Sequence, residues 1–200
     1  EFDWGLGFLQ RSLAAARFPI VSATLARDLG PTPLSDRGLL PPFVILDRMV
    51  TADDGSAVPL RVGVIGVTPP QVVRWSRSVL GDTLVALPAL TAMTAWLPQV
   101  RAAGAEVVVV LSHGGLGDPK PPFEDEDPLG PENASAAIAA LPEVDAVIAG
   151  HVHRVFPGPD APCVDGVCAE TGLIAGTPVV MPGHRGACLG VIDLALDHGA

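Results

Sequence analysis

Two histidines separated by one residue, His151 and His153 in IAGHVHRVFPG, follow an apolar run, VDAVIAG. A third, His113, ends another apolar run, AEVVVVLSH. The chain has five histidines in all, so two within three positions ask for a chemical explanation. Imidazole is the commonest neutral metal ligand and suits zinc, iron, manganese or nickel. Gly114, Gly115 and Gly150 flank the three and allow the backbone turns that a crowded site needs. A lone histidine at a strand end is ordinarily a polar residue in a turn. Three on one edge, two of them as HxH, point to a metal site. Imidazoles alone would leave a two-metal site short of the carboxylates that balance two dications.

The elements around them decide whether the three can meet. AEVVVVLSH and VDAVIAG are continuous apolar runs, as strands become when both faces are covered. Between them, Gly114 to Pro131 reads as a long loop rich in proline and acid, and 132–141 (ENASAAIAAL) as a helix. A strand over 105–112, that helix and a strand over 144–149 make a βαβ unit with parallel strands and a right-handed crossover. Parallel strands end on the same edge, the edge where open α/β sheets bind ligands. His113, His151 and His153 are therefore predicted to share it.

The rest of the chain reads more coarsely. Asp3 is a suitable N-cap for a helix over WGLGFLQRSLAAARF. FPIVSATLA predicts a short buried strand, and Leu29 to Pro42 a loop. FVILDRMV, a turn at Asp53 to Gly55, and VPLRVGVIGV predict a hairpin. PPQVVRWSRSVL opens a short helix. LTAMTAWLPQVRAAG predicts a helix interrupted at Pro98 and closed by Gly104. TPVVMPG and ACLGVIDLAL predict two more strands.

Composition sets bounds. Two hundred residues suit one domain. A content of 48% hydrophobic and 17% charged residues excludes a disordered chain. No apolar run approaches the eighteen or so residues of a membrane span. A net charge of -10 argues against coating a nucleic-acid polymer, yet permits a small phosphorylated substrate, since a metal supplies local positive charge. In CVDGVC, Asp165-Gly166 would turn a hairpin with Cys163 facing Cys168, either as a disulfide or as two thiols. His184, after TPVVMPG, could face the same cleft, whereas His198 reads as exposed. Arg154 and Arg185 could contact an anion, although a surface ion pair is the commoner fate of an arginine. The acidic run Glu124 to Asp127 lacks the pattern of a calcium loop and reads as solvated.

SHGG followed by GHVH resembles the last two metal-binding motifs of the calcineurin-like metallophosphoesterases. EFDWGLGFL, VIGVTPPQVVRW, DAVIAGHVHRVFPGPD and GTPVVMPGHRGACLGVIDLAL are similar, in this order, to the extracytoplasmic 2′,3′-cyclic-nucleotide 2′-phosphodiesterase/3′-nucleotidase family of the 5′-nucleotidase superfamily. The resemblance runs from residue 1 to about residue 197. It implies an α/β fold, a four-layer αββα sandwich of which residues 1–200 are the middle and C-terminal part. Glu1-Phe2-Asp3 matches the end of the family's GNHEFD motif. The resemblance therefore implies that the DxH, GD and GNH motifs precede this chain and that a nucleotide-binding domain follows it. His113 and His151 would hold one of two divalent ions (Mn, Zn, Fe, Co or Mg) and His153 the other. Asp3 would orient an upstream catalytic histidine, a role compatible with capping a helix. MPGHRG departs from the family, which carries an apolar or aromatic pair before the second glycine, and this leaves His184 and Arg185 without an assigned role.

The implied chemistry is two-metal hydrolysis of a small nucleotide, a 2′,3′-cyclic phosphate and then a 3′-phosphate, outside the cytoplasm. A 5′-nucleotidase or a sulfur-oxidation thiohydrolase of the same fold is a rival reading, as is a non-catalytic module with a vestigial metal edge. With only three of the implied ligands present, the isolated 200 residues are expected to be inactive or nearly so. Incubation with bis-(p-nitrophenyl) phosphate and manganese should give no turnover above the metal alone; appreciable turnover would sink that expectation.

Overall fold

The computed structural model describes residues 2–117, 127–158, 167–168 and 170–197. The first helix, α1 (Leu6–Ala15), begins later than its pattern predicts, with Gly5 as N-cap. Gly5 N–H donates to Phe2 O at 2.7 Å, and fully buried Phe2 packs in a small core with Leu25, Val72 and Leu80. Gly5 has φ 78°, a conformation suited to glycine, so the turn uses residues 2–5 and the helix starts only after them. Asp3 is therefore an exposed turn residue and not the helix cap.

Strand β1 (Leu25–Asp28) is shorter than FPIVSATLA suggests. The preceding residues cross the end of a neighbouring strand, where Ala23 N–H donates to Gly66 O at 2.7 Å. A Cβ on Gly66 would lie 2.5 Å from Val21 O, so only glycine admits this crossing. Within the expected loop a single 3-10 turn (Pro33–Ser35) precedes β2 (Arg37–Gly38), which pairs with β1. β3 (Phe43–Thr51) and β4 (Ala57–Val67) form the predicted hairpin, in register from Phe43↔Ile65 to Thr51↔Ala57. The expected short helix is two turns, α2 (Val72–Trp75) and α3 (Arg77–Leu80), and β5 (Val85–Ala86) then joins β1.

Helix α4 (Ala89–Ala102) runs through Pro98 without the predicted interruption. Proline removes one helix hydrogen bond, but buried Ala92, Met93, Leu97 and Val100 hold this helix on the core. β6 (Val107–Ser112), α5 (Ser135–Ala139) and β7 (Ala146–Ala149) form the predicted parallel βαβ unit. α5 is shorter than 132–141 because residues before it bind a loop instead of continuing the helix. β8 (Val155–Phe156), β9 (Val167–Cys168), β10 (Leu173–Ile174) and β11 (Thr177–Pro182) complete the strands. ACLGVIDLAL, expected as a strand, has no ladder partner among the described residues. It crosses the sheet instead: a Cβ on Gly190 would meet Val180, and Leu194 and Leu196 line one cavity with Leu60 and Val107. Cys163, the hairpin turn at Asp165-Gly166, and His198 lie outside the described residues.

The large sheet has the order β3-β4-β6-β7-β11-β10-β9, with β8 paired to β11; β2-β1-β5 form a second sheet. β4, β6, β7 and β11 are mutually parallel. Helices α4 and α5 cover one face, burying Val108, Val110 and Val147 against Met93, Val100 and Ile138. This is the α/β class expected from the alternation of runs and helices. Gly63 permits the close approach, since a Cβ there would meet Val100 Cγ1 at 2.4 Å. Met93 is fully enclosed in this layer. Met93→Ala should lower the unfolding free energy by about 2–5 kcal/mol. Met49 is 65% exposed. Met49→Ala should therefore change it by less than about 0.5 kcal/mol. Denaturant unfolding of the two variants checks the difference.

Candidate functional site

The site edge is set by strand register. Val67 pairs with Ser112, and Ser112 with Ala149, so β4, β6 and β7 end on a common rung. Two backbone bonds carry the ladder one step further: His113 N–H to Val67 O at 2.9 Å, and Gly150 N–H to Gly114 O at 3.1 Å. His113 and His151 therefore emerge side by side, with ring centroids 5.3 Å apart and planes tilted by 58°. His153 follows two residues later and stacks on His184, at 4.8 Å and 18°. His184 comes from the turn after β11, the next parallel strand, which is why a sequence-remote histidine reaches the same edge.

His151 and His153 have φ of 67° and 59°. This left-handed backbone is unusual outside glycine. Such strain needs surroundings that enforce it. Here Val152 N–H donates to Gly150 O at 2.8 Å, closing a tight turn after β7. The loop after His113 is fixed by the start of α5. Gly115 N–H donates to Asn133 Oδ1 at 2.8 Å, and Ser135 Oγ donates to Gly114 O at 2.8 Å. Ser135 is fully buried, and its hydroxyl also meets that of Ser112 at 2.8 Å. A Cβ on Gly117 would fall 1.8 Å from Asn133 O, so this loop needs glycine there.

Two residues not singled out by sequence complete the surroundings of His151. Its Nε2 lies 2.9 Å from Glu132 Oε1. The Trp75 ring stacks on it at 5.4 Å and 13°. Trp75 ends α2, which is tied to the loop before α5 by Gln71 Nε2 to Gly130 O (2.7 Å) and Arg74 to Asp127 (2.7 Å). The Leu129 N–H, assisted by Arg74 and Gln71, holds the Asp127 carboxyl below its ordinary range. The only sequence signal for Glu132 and Trp75 was their place beside a loop and a short helix, so neither could be joined to His151 without coordinates.

Asp3 is exposed in its turn. Arg154 and Arg185 are exposed and make no ion pair among the described residues. Nor do three His, Cys, Asp or Glu side chains converge among the described residues to enclose a metal. The 5.3 Å between the His113 and His151 ring centroids is compatible with two imidazoles on one cation. Two imidazoles bound through nitrogens about 2.0–2.1 Å from a tetrahedral ion would place their centroids about 5 Å apart.

No family model matches the chain. It is 35% identical over 198 residues to the 2′,3′-cyclic-nucleotide 2′-phosphodiesterase/3′-nucleotidase of Salmonella typhimurium, covering 99% of this chain and 29% of that protein. It is 33% identical over 198 residues to the trifunctional nucleotide phosphoesterase protein YfkN of Bacillus subtilis, covering 98% of this chain and 13% of that one. The crystal structure of the calcineurin-like phosphoesterase YfkN from Bacillus subtilis superposes with a TM-score of 0.79 at 31% identity, over 91% of this chain and 51% of that chain. The chain has the calcineurin-like phosphoesterase fold. It is homologous to these nucleotide phosphoesterases and spans under a third of the length of the curated relatives named.

Within this calcineurin-like segment the buried hydroxyl pair is a direct test of how the histidine loop is held. Ser135→Ala would leave Ser112 Oγ without its partner and Gly114 O without its side-chain donor. An unmet buried polar group costs about 1–3 kcal/mol. Thermal or urea unfolding should show that loss, and a neutral result would mean the hydroxyls do not anchor the loop.

Proposed function

We propose that this chain is part of a dinuclear-metal phosphoesterase that hydrolyses 2′,3′-cyclic nucleotides and 3′-nucleotides. The supporting observation is the adjacency of His113 and His151 at the ends of parallel strands, in a segment 35% identical to an enzyme of that name. The full-length gene product is the active species, because other ligands are required beyond the three histidines. When bound, two dications would activate water and neutralise charge on the phosphoryl group.

The chain's own residues divide that work. His113 and His151 hold one cation, and His153 holds the other from the next turn. His151 and His153 both have left-handed backbone, and in this reading their side chains would serve different ions. Asp3, exposed in its turn, orients a histidine supplied from elsewhere in the protein. A small nucleotide is the substrate, and the protein acts outside the cytoplasm. His184 lies against His153 but is given no ligand role.

The test is a substrate panel on the metal-loaded full-length gene product. Release of phosphate from 3′-AMP and opening of 2′,3′-cyclic AMP are expected to exceed turnover of 5′-AMP. His151→Ala should lower kcat/KM by more than about 100-fold, beyond the roughly 10–100-fold loss typical of a residue that only supports a ligand. A preference for 5′-AMP would replace the substrate assignment with that of a 5′-nucleotidase. Absence of both metal binding and hydrolysis would overturn the enzyme reading.

A further inference from the structure

We propose that Glu132 and Trp75 are positioning residues that lock the His151 ring, with the proton on Nε2 and an unprotonated Nδ1 presented to a cation. The inference rests on the metal-binding role given to His151 above and adds the two groups that set its orientation.

The His151 Nε2 lies 2.9 Å from Glu132 Oε1. An ionised carboxylate can only accept, so Nε2 must be the donor. A neutral imidazole then has its lone pair on Nδ1. Metal-bound histidines commonly give their second N–H to a carboxylate, which fixes the tautomer and the ring orientation. The hydrogen bond alone would still let the ring pivot about it. Trp75 removes that freedom by lying nearly parallel to the imidazole, at 13°. One contact fixes the edge of the ring, the other its plane.

Both supports are themselves anchored. Trp75 is the last residue of α2, pinned through Gln71 to Gly130 and through Arg74 to Asp127. Glu132 precedes Asn133, whose side chain accepts from Gly115 N–H. The same loop thus holds the helix bearing Trp75 and the carboxylate facing His151. An exposed ion pair by itself contributes little. The His151 side chain is only 23% exposed. A ring fixed on two sides loses little freedom on binding.

The tautomer and the metal affinity test this without relying on turnover. In ¹⁵N-histidine spectra of the metal-free full-length gene product, His151 should be the Nε2–H tautomer, and Glu132→Ala should mix the two forms. By titration calorimetry, Glu132→Ala and Trp75→Ala should each weaken manganese binding by about 10–100-fold. Glu132→Gln, which keeps an acceptor oxygen, and Trp75→Phe, which keeps a flat ring, should recover most of it. Manganese should also quench the fluorescence of Trp75 in the wild type. An Nδ1–H tautomer, or affinities unchanged in Glu132→Ala and Trp75→Ala while His151→Ala loses binding, would overturn this inference alone. Manganese binding unaffected by His151→Ala would overturn the metal reading itself. If an alanine variant fails to fold, the wild-type tautomer and the conservative pair decide.

Discussion

The common rung at which β4, β6 and β7 end is the constraint on which the rest of this structure depends. Val67, Ser112 and Ala149 are neighbours across it, and the next residues along each chain inherit that alignment. A slip of one residue between β6 and β7 would turn every side chain of one strand to the opposite face. His113 and His151 would then no longer emerge together. Register is therefore a functional coordinate here; the continuous apolar runs of β6 and β7 do not specify it by alternation, and at the strand ends the Ser112–Ser135 hydroxyl pair and the Gly150 N–H to Gly114 O bond accompany it. Val108, Val110 and Val147 must point to the helices for the core to close.

Small residues let the register be read out at short range. α5 has only five residues, all buried, and three of them are alanine. Its late start leaves Asn133 outside the helix to accept from Gly115 N–H, while Ser135, its first residue, donates its hydroxyl to Gly114 O. Gly63 and Gly117 admit a helix and a loop where any Cβ would collide. The polar contacts at the edge do different work. Buried hydroxyls of Ser112 and Ser135 satisfy one another, while Glu132 and Trp75 act on the exposed side of the same turn. A loop between β6 and α5 is thus joined to three separate elements, and the geometry of His151 integrates all three.

The likeness to nucleotide phosphoesterases is one of fold as well as of sequence. The superposition on the YfkN structure extends over 91% of the chain, so the likeness is not confined to the histidine motifs. The second face of the large sheet is organised differently from the first. Leu111 and Ile148, adjacent across β6 and β7, are each 41% exposed there, and the extended segment from Ala187 onward crosses that face without joining a ladder among the described residues.

By itself the sequence determined the local elements whose periodicity has one meaning. The valine runs of β6 and β7, the hairpin of β3 and β4, and the alanine-rich crossover were legible because apolar pattern and turn residues agree. Those elements also located the three histidines on one edge, since a βαβ unit has only one hand and one direction. The motif blocks carried the family resemblance that the relatives support. Tertiary structure decided what depends on contacts distant in sequence. Burial of Phe2 moved the start of α1 past Asp3, and packing of Met93 and Val100 carried α4 through Pro98. The segment 187–196 has a strand-like pattern but no ladder partner among the described residues. The joining of β11 to β7 brought His184 onto His153, and the fold of one loop brought Glu132 and Trp75 to His151. Propensity is a local energy of a fraction of a kcal/mol per residue, whereas each of these outcomes follows from packing or pairing between segments.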